Sequence, residues 1–151
     1  MKIGVLIVAV FMFSLLHIPQ SLAQQGMQWR GGGGWGIGAP YNRMYDPKTV
    51  ETISGEVVSV DIITPVKGMC HGVHLMVKTV KETISVHLGP GWYIENQDTK
   101  IDPKDKVEVT GSRITFEGKP AIIAAEVKKD DEILKLRDEK GFPLWSGWKR
   151  R

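Results

Sequence analysis

Six residues within one short stretch carry side chains able to hold a metal ion: Met69, Cys70, His71, His74, Met76 and His87. Thiolate, thioether and imidazole together suit Cu(I) or Zn(II). Spacing turns this composition into geometry. Val73–Thr79 and Thr83–Leu88 alternate apolar and polar residues around a short turn at Val80-Lys81, which predicts a hairpin. With Thr79 facing Glu82, Lys78 lies opposite Thr83, Met76 opposite Ser85 and His74 opposite His87. Alternation then puts Val73, Leu75, Val77, Ile84, Val86 and Leu88 on the core face. His74, Met76, Lys78, Thr83, Ser85 and His87 collect on the other. Directly opposed Cβ atoms stand about 4.5–5.5 Å apart, so two imidazoles there can share one ion. The same residues also suit a solvated polar face or the lining of a ligand groove, and a one-residue slip of register would separate the histidines. Both readings stay open, and on either one the histidines sit outside the core.

Other chemistry finds little support. The chain has no G-x-S-x-G elbow, no H-E-x-x-H and no G-x-x-x-x-G-K loop. Without C-x-x-C-H, covalent haem attachment is not indicated. The Gly31–Gly34 run lacks a preceding strand and a following Lys-Ser/Thr, so it is no nucleotide loop. The expectation is therefore a non-catalytic protein. Candidate partner-binding residues are Trp92 and Tyr93, after Gly91, and the aromatic-basic tail of Trp145, Trp148, Lys149, Arg150 and Arg151.

The elements that must position these residues are strands. Val50–Ile63 is rich in Val, Ile and Thr, with Gly55 inside it and a slip of apolar phase across Val57-Val58. A glycine beside a phase slip marks a bulge or sharp bend. After the hairpin, Gly89-Pro90-Gly91 stops the third strand, and Trp92–Gln97 has room for one or two helical turns. Lys106–Ile114 and Ala121–Lys128 form a second hairpin around Gly118-Lys119-Pro120, and Ile133–Arg137 is a candidate sixth strand. A long bent strand, a hairpin, a short helical linker and another hairpin is the chain order of a five-stranded OB-type barrel, an all-β fold.

Outside the barrel, residues 24–48 combine Gly31–Gly34, Gly36 and Gly38 with Trp29, Trp35, Tyr41 and Tyr45. Glycine at this density costs too much entropy to order as helix or strand, so the segment is expected to be a flexible arm. Residues 1–23 read as an export signal: Lys2, the apolar run Ile3–Leu16, Pro19, and the small-x-small site Ser21-Leu22-Ala23 before Gln24. The run falls short of the ~20 residues of a membrane span, although retention as an N-terminal anchor is the alternative. The mature chain is expected in the periplasm or secreted, with no membrane span. Its domains are then the arm at 24–48, the barrel at 49–130 and an extension at 131–151. The net charge of +3 falls to +2 with Lys2 removed, too little by itself to imply nucleic acid. Cys70 is alone, so no intrachain disulfide exists, and in an oxidising compartment it must be buried, metal-bound or paired with another molecule.

The stretch TVETISGEVVSVD, a hairpin, and WYIENQDTKIDPKDKVEVTGSR together resemble the exported bacterial OB-fold (BOF-like) proteins over about residues 49–128. The resemblance implies a small binding barrel without known chemistry. Members are suspected of binding small cationic ligands or acting in envelope stress, and similar chains are sometimes labelled DNA-binding. Three functions follow as expectations: an adaptor or accessory subunit gripping an envelope protein by arm and tail, a Cu- or Zn-handling protein using His74 and His87, and a weak single-stranded nucleic-acid binder.

Overall fold

The computed structural model describes residues 32–147; the signal segment at 1–23 and Trp148, Lys149, Arg150 and Arg151 lie outside them. Six strands follow one another: β1 (Val50–Ile63), β2 (Gly72–Lys78), β3 (Thr83–Pro90), β4 (Lys106–Phe116), β5 (Lys119–Lys129) and β6 (Glu132–Lys135). One short helix, α1 (Gly91–Ile94), stands between β3 and β4. The sheet runs β3-β2-β1-β4-β5-β6, and a parallel β3–β5 pairing closes the first five strands into a barrel. This is the five-stranded OB-type barrel with a helical linker and sixth strand expected from strand order. No helix among the described residues is long and apolar enough to cross a membrane.

β1 serves both halves of the barrel because it bends. Its first half pairs with β4, Val50 to Glu56 against Ser112 to Lys106, and its second half with β2. The register shifts between Val57 and Ser59, where the phase of the sequence slips. Gly55 is needed at this crossing, since a Cβ there would run into the Lys78 carbonyl. Closing the loop, Val57 N–H donates to the Asp105 carbonyl (2.8 Å) and Lys104 N–H to the Val57 carbonyl (2.7 Å). The core inside is Val57, Leu75, Val77, Ile84, Val86, Leu88, Val107, Val109, Ile122 and Val127, all buried.

A second aromatic core lies against the barrel and corrects the expected flexible arm over residues 32–48, the part of it that the structure describes. Trp35, Tyr41 and Tyr45 are buried, as is Trp145 of the tail. The Trp35 ring sits where a Cβ on Gly72 would be, and its Nε1–H donates to the Cys70 carbonyl (2.9 Å). Trp145 Nε1–H donates in turn to the Trp35 carbonyl (2.8 Å). The segments before β1 and after β6 therefore lock onto each other. Arg137 is the bolt between them: its Nη2 donates to Asn42 Oδ1 (2.8 Å), its Nη1 to the Gly141 carbonyl (3.1 Å), and it lies over the Tyr45 and Trp145 rings. Burial pulls its pKa down to about 10. The entropy argument failed because glycine and aromatic residues divide the labour here. Gly33, Gly34 and Gly38 take positive φ of 64°, 89° and 79°, which turns the chain so that the rings face inward. Burying an aromatic ring gains several kcal/mol, about 25 cal/mol for each Å2 removed from water.

Candidate functional site

The hairpin register is the expected one. His74 is opposite His87, Met76 opposite Ser85 and Lys78 opposite Thr83, with Thr79 N–H donating to the Glu82 carbonyl (2.8 Å). The two imidazoles lie 6.1 Å apart between centroids. Both line a cleft of about 560 Å3 on the outer face of β2 and β3, shared with Met76, Ser85, Phe116 and Lys119.

The two histidines differ sharply in environment. His74 is half-buried and held from two sides: Nδ1 shares a hydrogen bond with Ser85 Oγ (3.0 Å), and Nε2 lies 4.0 Å from Asp61 Oδ2. Asp61 is oriented by Ser59 Oγ, which donates to the same oxygen (2.6 Å). His87 is 1% exposed, which corrects the expectation of a solvated face. β3 is interior on both faces at this point. Tyr41 from the N-terminal segment stacks on the His87 ring at 6.0 Å, and Phe116 from the end of β4 meets it edge-on at 4.9 Å. The Tyr41 hydroxyl and His87 Nδ1 share a hydrogen bond of 2.8 Å. His87 Nε2 is buried without a partner. Burial, aided by the positive fields of His74 and Arg137, pulls the His87 pKa from 6.5 down to about 4. The ring is therefore neutral at physiological pH, with one nitrogen fixed and one uncommitted.

The other candidate ligands stand elsewhere. Cys70 is exposed, its N–H donating to the Gly33 carbonyl (2.8 Å), and the His71 ring lies 3.6 Å from Glu95 Oε1. Met69 packs against the aromatic core. Among the described residues no three His, Cys, Asp or Glu side chains converge as a metal group. Of the expected partner surface, Tyr93 and Trp145 are buried core residues, because their rings fill the junction between α1, the tail and the barrel. Trp92 is half-buried against the core.

Ser85, His74 and Asp61 have the composition of a hydrolytic triad but not its geometry. Asp61 is beyond hydrogen-bond length from the imidazole, and Ser85 lies mid-strand between Met76 of β2 and Ala121 of β5. β3 is paired to β2 and to β5 at this point, so the backbone N–H groups beside Ser85 are engaged in the ladders. Sequence reasoning missed Tyr41, Phe116 and Asp61, each delivered by a different element. Only the alternation placing Asp61 opposite His74 had a readable signal.

No curated protein matches the chain. The sequence model of the MamS/MamX magnetosome protein family matches residues 49–134, which span β1 to β5 and most of β6. That match carries the bent strand, both histidines and the barrel closure, and it covers more than half of the sequence: this small β-barrel chain belongs to the MamS/MamX magnetosome protein family.

Proposed function

We propose that this chain is a non-catalytic binding protein of the cell envelope, and that it takes its ligand in the cleft at His74 and His87. One observation carries the reading: His87 is buried and neutral, lines that cleft, and keeps Nε2 without a partner. A buried polar atom left unpaired costs about 1–3 kcal/mol, and a ligand able to pair it recovers that cost. The rival readings have weaker support. An adaptor gripping through arm and tail loses Trp35, Tyr41, Tyr45 and Trp145 as contact residues, since all four are buried. A nucleic-acid groove calls for stacking aromatics beside a basic track, whereas the cleft offers Phe116 packed on His87 and Lys119 beside Glu82 and Glu117.

Native mass spectrometry of the full chain, purified from its own host without chelators, tests the reading. The wild type should carry an added mass that the His74→Ala variant lacks. A bare wild-type mass, or the same added mass in both proteins, overturns it.

A further inference from the structure

We infer that the cleft is a monovalent copper site, with His87 Nε2 and His74 Nδ1 as the two strong ligands and the Met76 thioether as a weaker third. This rests on the cleft being the binding site and names what it binds.

Two ring nitrogens of the histidine pair are left for an ion. A ligating histidine generally fixes its other ring nitrogen through an outer partner. His87 does so at Nδ1 with the Tyr41 hydroxyl, which leaves Nε2. His74 turns Nε2 towards Asp61, itself held by Ser59, which leaves Nδ1. The Ser85 hydroxyl lies 3.0 Å from that Nδ1, so its Oγ must swing aside by a χ1 rotation for an ion to enter.

Two imidazoles and a thioether bring no negative charge, and of the two carboxylates that line the cleft, Glu82 and Glu117, the first is already held by Arg113 Nη2 (2.6 Å). Calcium and magnesium want hard oxygen ligands, and zinc sites draw largely on thiolate, imidazole and carboxylate. Cys70 is the chain's single cysteine and is packed beside Gly33, away from the cleft. A neutral thioether beside imidazoles favours soft Cu(I) over ions that draw on thiolate or carboxylate.

With a metal–nitrogen bond of ~2.0 Å and ~1.1 Å more to the ring centre, a tetrahedral ion would hold the two centroids ~5.1 Å apart and a linear one ~6.2 Å apart. The observed separation is 6.1 Å. A separation in this range lets one ion bridge the two rings once their planes, now tilted by 54°, turn the two nitrogens towards it, so the spacing supports a bridging ion and the ligand set decides which metal. Entry requires the Phe116 ring to shift, because it packs against His87 and Nε2 is closed to solvent.

The test is anaerobic competition of the full chain for Cu(I) against a coloured Cu(I) chelator, with Zn(II) titrated in parallel. His87 is a buried residue whose loss disturbs packing, so the decisive variants are His74→Ala and Met76→Leu, the latter conserving volume. The wild type should bind one Cu(I) per chain. His74→Ala should lower affinity at least 100-fold and Met76→Leu about 10-fold, with unfolding midpoints within a few degrees of wild type. Copper absorption spectra should show a sulfur neighbour that Met76→Leu removes and Cys70→Ser leaves in place. Equal Cu(I) affinity in wild type and the His74→Ala/Met76→Leu double variant overturns the site, as does loss of the sulfur signal in Cys70→Ser. If Zn(II) or an organic mass occupies the cleft in a His74-dependent way and Cu(I) does not, the copper assignment falls and the binding reading survives. If nothing occupies it, both fall.

Discussion

Replacing Trp35 with Ala tests whether the segment before β1 is part of the folded body. The ring is fully buried, edge-on to Tyr41 at 4.9 Å and to Trp145 at 6.3 Å. Truncating a buried Trp to Ala typically costs 3–5 kcal/mol, of which the lost hydrogen bond to the Cys70 carbonyl is about 1. An upper bound comes from the chain itself. If the cavity is too costly, the segment undocks, and each released residue recovers roughly 1–2 kcal/mol of conformational entropy. The net loss should therefore settle at about 3–4 kcal/mol, with the segment partly released. For a body of this size that is a fall of roughly 10–20 °C in the unfolding midpoint. Thermal and urea unfolding followed by near-ultraviolet circular dichroism measure it, and limited trypsin digestion shows whether Arg43 becomes a new first cut. A loss under about 1 kcal/mol with unchanged digestion would refute the second core and restore the flexible arm.

The remaining predictions probe other links. Gly72→Ala pushes a methyl group into the Trp35 ring and towards the Gly89 carbonyl, 2.8 Å from the new Cβ, and should cost about 1–3 kcal/mol by urea unfolding. Burial raises the pKa of Tyr41, and also of Tyr45 and Tyr93, above the ordinary 10. The unfolded chain then loses protons first, so stability should be fully present below pH ~10 and fall as pH rises beyond it, with the Tyr41 phenolate absorbance appearing only on unfolding. Phe116→Ala should uncover His87 and raise its reactivity towards diethyl pyrocarbonate, read by peptide mass mapping; an unchanged rate would mean that Phe116 does not guard the imidazole. The exported form should begin at or near Gln24 by N-terminal sequencing, and recovery of intact Met1 from a soluble cytoplasmic fraction would count against export.

Local grammar carried most of the barrel. The bend in β1 was legible because a phase slip and Gly55 coincide, and the His74–His87 pairing because a short turn leaves one register compatible with an apolar face. The strand ends were less legible. β3 continues to Pro90 and β5 begins at Lys119, because β2 and β4 keep pairing past the residues that signal a turn. What stayed hidden depends on contacts across the whole chain. Tyr41 reaches His87 over 46 residues, and Trp145 reaches Trp35 over 110. No periodicity links such positions. A glycine-rich segment looks unstructured until the surface that receives its aromatic rings is known, and that surface exists only after the barrel has closed.

The interlocked segments before β1 and after β6 also explain how the barrel can keep a neutral, half-satisfied histidine in its wall. Strand alternation alone would put His87 in water, where its imidazole titrates near 6.5 and both nitrogens are hydrated. Tyr41 removes that water, supplies one hydrogen bond and leaves the other nitrogen bare. Tyr41 is itself held by Trp35, which is held by Trp145, and Arg137 ties the same two segments together through Asn42. The site is thus built by the segments flanking the barrel as much as by the barrel strands that carry its ligands. Losing the arm would hydrate His87 and remove its fixed tautomer without changing a single residue of the hairpin. A barrel lacking the arm could keep the His74–His87 register and still lose the environment that sets the second imidazole apart from an ordinary surface histidine.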